Sequence, residues 1–169
     1  AHADPASEWC ATVLALGDHL VLAGRDRRRE VPAEAWFQGV FSTAIAPGEM
    51  LVEVRLPLLG EDWRCGFAEF SRRAGDFALA MAVVAVRVEE GAVRQARVAL
   101  GGIGGTPVLA PMAAAALIGQ APGDAAARLA AAQAVEECDP QDDIHAPAAY
   151  RRDLVGTMVR RALAMAFAS

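Results

Sequence analysis

Residues 67–80 read Phe67-Ala68-Glu69-Phe70-Ser71-Arg72-Arg73-Ala74-Gly75-Asp76-Phe77-Ala78-Leu79-Ala80. An alternating run leads into a short polar turn, and the turn leads into a long apolar run. Both flanks favour β-strand, because aromatic and apolar side chains suit a half-buried pleated surface. Between them, residues 71–76 hold a glycine suited to a turn and an acid that can bond nearby backbone. The turn has two interpretations, a charged binding loop on a rigid scaffold or a solvated hairpin connection.

Downstream of this turn, the pattern predicts a β-meander followed by helices. Residues 81–88 and 93–100 read as strands around the turn 89–92, which with the first run makes three antiparallel strands. After the glycine-rich run 101–105, Thr106 and Pro107 are predicted to be a helix cap and the first helical residue. Three helical stretches complete the region, at about 107–118, 124–137 and 148–168. This order predicts the α+β class, with a three-stranded antiparallel sheet backed by a helical layer.

The last of these helices is predicted to be amphipathic. Helical spacing places four apolar residues on one face, namely Leu154, Met158, Ala162 and Met165. Four charged residues are expected to lie mostly off that face, namely Arg151, Asp153, Arg160 and Arg161.

Upstream of the quoted stretch, shorter elements are predicted. A helix over 5–17 has Asp4 as its expected N-cap, Pro5 at the first position and Gly17 as its stop. A hairpin joins 19–23 to 29–31; its arginine-rich tip is either an anion patch or, as we favour, a solvated turn. The remaining expectations are one helical turn at 32–37, a strand over 50–57 that ends at proline, and a boundary near 58–62. The chain is therefore divided into regions 1–58 and 62–169.

Composition and charge exclude several classes of protein. The 169 residues carry a net charge of -5, which argues against nucleic-acid binding. No run approaches ~18 consecutive uncharged apolar residues, so no transmembrane segment is predicted. Cys10, Cys65 and Cys138 are far apart without a C-x-x-C pair, which suits a reducing cytoplasm and predicts no disulfide framework. Because the chain opens at Ala1 without an initiator Met, we expect it to be part of something longer.

Two motifs resemble ligand sites but have simpler explanations. The run 101–105 follows a strand, yet Pro107 stands where a third glycine of G-x-G-x-x-G belongs, so a bend is favoured over a phosphate cradle. Four metal-type ligands lie in a proline-bounded polar segment that we interpret as a solvated loop, namely Asp139, Asp142, Asp143 and His145. No G-x-S-x-G or similar nucleophile motif supports hydrolase chemistry. We expect no catalytic side chain and no metal site.

Five motifs in a fixed order resemble a known family. They are Ala1-His2-Ala3-Asp4-Pro5-Ala6-Ser7-Glu8, residues 48–57, Arg72-Arg73-Ala74-Gly75-Asp76-Phe77-Ala78, residues 99–107 and Tyr150-Arg151-Arg152-Asp153-Leu154. Together they resemble the FAD-binding medium subunit of the molybdenum hydroxylases, the relatives of carbon monoxide dehydrogenase and xanthine dehydrogenase. Each motif alone is weak, and the ordered set covers essentially the whole chain.

The resemblance implies a flavoprotein subunit of an oxidoreductase. Its FAD takes electrons from iron–sulfur clusters on a small 2Fe-2S subunit, after they enter at a molybdopterin-binding large subunit. The external acceptor is a quinone, NAD or oxygen. Region 1–58 then corresponds to the end of the FAD-binding middle domain, and 62–169 to the C-terminal α+β domain.

The resemblance also implies cofactor-binding residues. Glu8 matches an acidic position that contacts FAD, and Leu51 matches a strand position that meets the flavin. Ala68 stands where many members place a lysine, so that contact is in question. The turn from Arg72 to Asp76 matches the loop beside the isoalloxazine ring, and Asp4 is near the cofactor by position.

One alternative is a non-catalytic α+β binding or assembly module that no longer holds FAD by itself. The family grips the FAD pyrophosphate with two glycine-rich loops in an N-terminal FAD-binding region, and neither loop matches this sequence. We therefore expect the isolated chain to bind FAD weakly or not at all, because phosphate contacts are charge-assisted and strong.

Overall fold

Helices and strands follow an order that separates short N-terminal elements from a long meander and its covering helices. The computed structural model describes residues 1–17, 19–73 and 75–168, so Ala74 of the quoted turn and the final residue of region 62–169, Ser169, lie outside the described residues. The elements of the first region are α1 (Glu8–Leu16), β1 (His19–Ala23), β2 (Arg28–Pro32), α2 (Ala33–Trp36), β3 (Phe37–Gly39), β4 (Ser42–Thr43) and β5 (Met50–Val54). Those of the second are β6 (Trp63–Phe70), β7 (Ala80–Glu89), β8 (Ala92–Gly101), β9 (Val108–Leu109), α3 (Pro111–Leu117), α4 (Asp124–Glu137) and α5 (Ala148–Ala168).

The quoted stretch lies at one end of the main sheet. This sheet has the order β6-β7-β8-β9 and is antiparallel throughout. At the end beside the turn, Phe70 pairs with Ala80 and Met81 pairs with Gly101. The predicted α+β class with an antiparallel meander is confirmed.

A fourth strand corrects the prediction around Thr106 and Pro107. The expected helix start is wrong, because β9 pairs with β8 through Leu100 and α3 begins only at Pro111. Proline does stand at the start of that helix, where its missing N–H costs nothing. A strand of two residues carries too little pattern to be recognised from sequence.

The three C-terminal helices cover one face of the main sheet. Helices α3 and α5 pack on inward-facing strand residues such as Val84, Val98 and Leu100, and α4 packs against α3 and α5 through buried alanines, which let backbones approach closely. The approach is closest at Gly66, where an added Cβ would overlap the carbonyl of Ala162 in α5. Within the described ranges, no helix is long and apolar enough to cross a membrane.

Helix α1 covers the opposite face of the same sheet. Its Ala11, Leu14 and Ala15 pack with Met81 and Ala99. Ser7, rather than the predicted Asp4, is the N-cap residue, because Asp4 instead accepts a hydrogen bond from the Ala6 N–H at 2.9 Å in a tight turn before the helix. The predicted stop is confirmed, since Gly17 adopts a left-handed conformation with φ of 60°.

A smaller antiparallel sheet of order β2-β1-β5 supports the first region. Its core contains Leu20, Leu22 and Trp36. The predicted hairpin at its centre is present, whereas β5 ends at Val54, before the expected Pro57.

The buried face of α5 differs from the predicted one in two residues. Arg151 is buried with Leu154 and Met158, whereas Met165 is 56% exposed. The sequence prediction placed Arg151 off the apolar face because isolated buried charges are costly. Here the cost is offset by hydrogen bonds from the Arg151 guanidinium to two backbone carbonyls and to the Asp143 carboxylate.

Candidate cofactor site

A cavity of about 660 Å³ lies at the end of the main sheet where β6, β7 and β8 meet the quoted turn. Its walls are the segments 4–6, 40–41, 75–79, 102–105 and 141–143, together with Arg72, His145 and Arg151. Loops between core strands thus converge at one point, the arrangement in which binding groups are usually placed.

Gly102 explains why the walls can meet. It has φ of 73°, and an added Cβ would lie 2.7 Å from the carbonyl oxygen of Ala78. Its N–H donates to the Pro5 carbonyl at 2.9 Å, which ties the N-terminal segment to the end of the sheet. A residue with a side chain would therefore be strained and would separate two walls of the cavity.

Arg72 joins the quoted turn to the loop 141–145. Its Nη2 lies 3.2 Å from Nδ1 of His145, so the guanidinium donates when that imidazole nitrogen is unprotonated. The turn itself is closed by the Asp76 N–H, which donates to the Arg73 carbonyl at 3.1 Å. The exposed turn therefore contacts the loop 141–145 through Arg72.

Arg151 forms part of the cavity wall and is 4% exposed. Its Nη1 donates to the carbonyls of Leu79, at 2.7 Å, and Gly102, while Nη2 donates to Oδ2 of Asp143 at 2.6 Å. Burial opposes ionisation of Asp143, but hydrogen bonds from Arg151 and from the backbone N–H groups of Ala146 and His145 outweigh it and lower its pKa to about 2. The ion pair therefore persists at neutral pH.

The mouth of the cavity presents aromatic surface. Phe77 is 70% exposed and Phe41 is 64% exposed, and both line the cavity. Phe41 also has φ of 50°, a conformation that costs a non-glycine residue free energy and is enriched at functional sites. Exposed phenyl rings beside polar groups are suited to a flat aromatic ligand.

The cavity lining fits the flavin ring of FAD better than its pyrophosphate. Phenyl faces suit a planar ring, and the Asp4 and Asp76 carboxylates can accept from ring N–H or ribityl hydroxyl groups. Among the described residues of the lining, the cationic side chains are Arg72 and Arg151, and the latter is already paired with Asp143. The cavity therefore fits the flavin and its hydroxyls, and supplies little charge for a pyrophosphate.

The six predicted cofactor residues do not all meet at this cavity. Asp4, Arg72 and Asp76 line it together. Leu51 lines a second, apolar cavity of about 440 Å³, beside Trp9, Trp36 and Phe37.

Glu8 and Ala68 line neither cavity. Glu8 is exposed at the start of α1, and Ala68 packs against the core below the helical layer. Glu69 follows Ala68 in the sequence, and its burial, together with the nearby charge of Glu8, raises its pKa. The FAD contacts of these two positions remain predictions.

Sequence reasoning assigned no role to Arg151, Phe41 or the loop 141–145 as a cavity wall. Arg151 carried a usable signal, since it stands three and seven residues before Leu154 and Met158, at the spacing of one helix face. Phe41 and the loop offered no comparable pattern. Within the part of the chain that the structure describes, no group of three or more His, Cys, Asp or Glu side chains could hold a metal ion.

Two family models match the chain. The family described as "CO dehydrogenase flavoprotein C-terminal domain" matches residues 66–166, and the one described as "FAD binding domain in molybdopterin dehydrogenase" matches residues 1–59. Two curated proteins align along nearly the whole chain. The carbon monoxide dehydrogenase medium chain of Hydrogenophaga pseudoflava is 32% identical over 99% of this chain, and 58% of its own length is covered. The 6-hydroxypseudooxynicotine dehydrogenase complex subunit alpha of Paenarthrobacter nicotinovorans is 35% identical over 98% of this chain, with 56% of its length covered.

Solved structures agree with these matches. A chain of the Hydrogenophaga pseudoflava carbon monoxide dehydrogenase lacking the Mo-pyranopterin moiety superposes with a TM-score of 0.93 at 35% identity, over 99% of this chain and 58% of that one. Quinoline 2-oxidoreductase from Pseudomonas putida 86 gives a TM-score of 0.91 at 32% identity, over 99% and 58%. The chain thus spans less than two thirds of the length of these relatives.

Proposed function

The chain belongs to the FAD-binding medium-subunit family of the molybdenum hydroxylases, and on that premise we propose that it is part of a flavoprotein subunit that holds FAD and relays electrons. The electrons come from iron–sulfur clusters and leave to an external acceptor. The observation that carries the proposal is the cavity itself, where Asp4, Arg72 and Asp76 converge with two exposed phenyl rings.

The residues of this chain bind and orient the cofactor. Asp4 and Asp76 accept hydrogen bonds from its polar groups, Phe41 and Phe77 exclude water from one side of the ring, and Arg72 supplies a positive charge at the rim. Leu51 extends the contact surface to the second cavity, and Glu8 and Ala68 are further predicted FAD contacts outside both cavities. When bound, FAD supplies the two-electron redox chemistry, for which the protein provides placement and local charge.

Partners and location follow from the same premise. The subunit assembles with a molybdopterin-binding large subunit and a 2Fe-2S small subunit. The cysteines Cys10, Cys65 and Cys138 are free thiols, which supports a cytoplasmic location. Residues 1–58 and 62–169 are the two domains of this part, in contact through α1.

The test is the flavin content of the complete flavoprotein subunit, isolated with its partner subunits. We expect stoichiometric FAD by absorbance after denaturation. Asp4→Asn should weaken FAD binding about tenfold, equivalent to ~1.4 kcal/mol, and Asp139→Asn, an exposed acid outside the lining, should not. A subunit that folds and assembles without any flavin would contradict the proposal.

A further inference from the structure

We propose that Arg151 is a positioning residue that sets where the charged turn 71–76 stands relative to the flavin, acting through its contacts with Leu79, Gly102 and Asp143. The inference rests on the proposed function, because it concerns the same cavity. No predicted cofactor role was attached to Arg151, and it lies on α5, outside the segments expected to contact FAD.

Three separate walls of the cavity are held by this one side chain. The Leu79 carbonyl follows the quoted turn, the Gly102 carbonyl belongs to the glycine bend, and Asp143 belongs to the loop 141–145. These partners are 72, 49 and 8 residues from Arg151 along the sequence. Arg151 of α5 is therefore the shared donor that connects three separate segments of the cavity wall.

The turn is connected to Arg151 at both of its ends. At its C-terminal end, the Leu79 N–H donates to the Phe70 carbonyl at 2.8 Å, while the Leu79 carbonyl accepts from Arg151. At its N-terminal end, Arg72 contacts the imidazole of His145, and the backbone N–H of His145 donates to Oδ1 of Asp143 at 2.8 Å. Since Asp143 pairs with Arg151, a continuous series of contacts runs from α5 to Arg72.

The chemistry of arginine suits this role. A planar guanidinium can donate in several fixed directions at once, whereas a lysine ammonium is a compact charge on a flexible stem. The Nε of Arg151 is buried and has no hydrogen-bond partner among the described residues. An unpaired buried donor costs free energy. Arg151 therefore keeps its three acceptors in place even though its own Nε is left without a hydrogen bond.

The experiment compares Arg151→Met and Asp143→Asn in the complete flavoprotein subunit, with Arg152→Met as the matched control. Arg152 is exposed and contacts the Cys138 carbonyl at 3.3 Å, outside the cavity. Each variant is combined with Asp76→Asn, and the flavin reduction potential is measured by spectroelectrochemical titration. Backbone hydrogen exchange is measured at the Leu79 and Gly102 amides.

We expect the potential shift caused by Asp76→Asn to fall by half or more in both Arg151→Met and Asp143→Asn, because the turn is no longer held at one distance. The Arg152→Met background should leave the shift unchanged. Exchange at Leu79 and Gly102 should accelerate at least tenfold in Arg151→Met. A merely structural role would lower stability and leave the Asp76→Asn shift at its original size.

Two outcomes overturn the inference. The first is an unchanged Asp76→Asn shift in Asp143→Asn, which retains both carbonyl contacts of Arg151 and so remains informative if Arg151→Met fails to fold. The second is unchanged exchange in a folded Arg151→Met protein. If the unsubstituted subunit holds no FAD, the proposed function fails instead, and the exchange experiment still decides whether Arg151 holds the walls together.

Discussion

At the residue scale, Asp76 and Arg72 place opposite charges on one turn at the cavity. With the proposed flavin in this cavity, a charge there acts on the difference between neutral oxidised and anionic reduced flavin, so we expect it to change the potential more than the affinity. Asp76→Asn should raise the flavin potential, since an anion that disfavours the reduced form is removed. Arg72→Gln should lower it. A shift of about 10–30 mV is expected, given that ~30 mV corresponds to about 1.4 kcal/mol for a two-electron couple.

The measurement for these two variants is a redox titration of the complete subunit, with thermal stability followed in parallel. Asp139→Asn serves as the control, because this exposed carboxylate lies outside the cavity lining. Potentials equal to the unsubstituted value in both variants would mean that the turn is only a connection.

Glu49 gives a prediction about pH. Hydrogen bonds from Arg29, at 2.7 and 2.8 Å, and then from the Ala46 N–H lower its pKa from 4.5 to about 2. A carboxylate with a depressed folded pKa contributes stability above its unfolded pKa and loses it as the pH falls toward the folded value. The free energy of unfolding should therefore exceed that of Glu49→Gln by a constant amount above about pH 5.5, and the gap should shrink between pH 4.5 and 2.

Urea denaturation at a series of pH values tests this, with Glu61→Gln as an exposed control. A gap that is independent of pH over the whole window would show that the Arg29–Glu49 pair does not determine the acid dependence.

Single residues show where sequence reasoning succeeds and where it stops. The turn 71–76 could be identified because glycine and charge interrupt two apolar runs, and Gly17 because a helix end needs a left-handed residue. Arg151 was assigned to the wrong face, since its burial depends on two carbonyls and a carboxylate supplied from distant parts of the chain. Such long-range partners have no local pattern. The resemblance named Asp4, Arg72 and Asp76 among the predicted cofactor-binding residues, but no local pattern predicts that these three line one cavity.

At the scale of elements, the contact between β6 and α5 depends on Gly66. An added Cβ would overlap the Ala162 carbonyl and lie 3.0 Å from the Ala166 nitrogen, and both are backbone groups of a helix that cannot yield locally. Gly66→Ala should therefore destabilise the fold by about 3 kcal/mol or more, at the upper end of overpacking effects.

The check on Gly66 is a thermal midpoint, expected to fall by roughly 2–4 °C per kcal/mol for a chain of this size. Gly104→Ala is the matched control, because a Cβ there meets nothing within 4 Å. Equal midpoints for the two variants would mean that α5 can move away from β6 at little cost.

Long elements with a clear period were predictable, and short ones were not. The β7–β8 hairpin and helices α4 and α5 were predicted to within two residues, because apolar runs and turn residues bound them. Strand β9 was missed because its pairing with β8 is decided by tertiary contact. The start of α1 was misplaced since Asp4 bonds its own local backbone before the helix begins.

At the scale of the whole molecule, α1 links the two regions. Leu14 is 4% exposed and packs with Met81, Val83 and Ala99 on the main sheet. We expect Leu14→Ala to cost about 2–4 kcal/mol and to lower one shared unfolding transition, seen at the same denaturant concentration by tryptophan fluorescence and far-UV circular dichroism. Leu129→Ala, at a half-exposed position on α4, is the same substitution without that contact. Two separate transitions in the unsubstituted chain would show that the regions unfold independently.

The main sheet has two unequal ends, and this has a practical consequence for engineering. The cavity occupies the end where Phe70 pairs with Ala80, whereas Glu89 and Ala92 close the other end, about nine residues along β7. With ~3.3 Å per residue, the turn at Glu90 and Gly91 lies roughly 30 Å from the charged turn. A fluorescent label or an affinity tag inserted between Glu90 and Gly91 would be carried on the β7–β8 hairpin, far from the cavity. That turn is a natural point for attaching the protein to a surface while leaving the cavity end of the sheet open to solution.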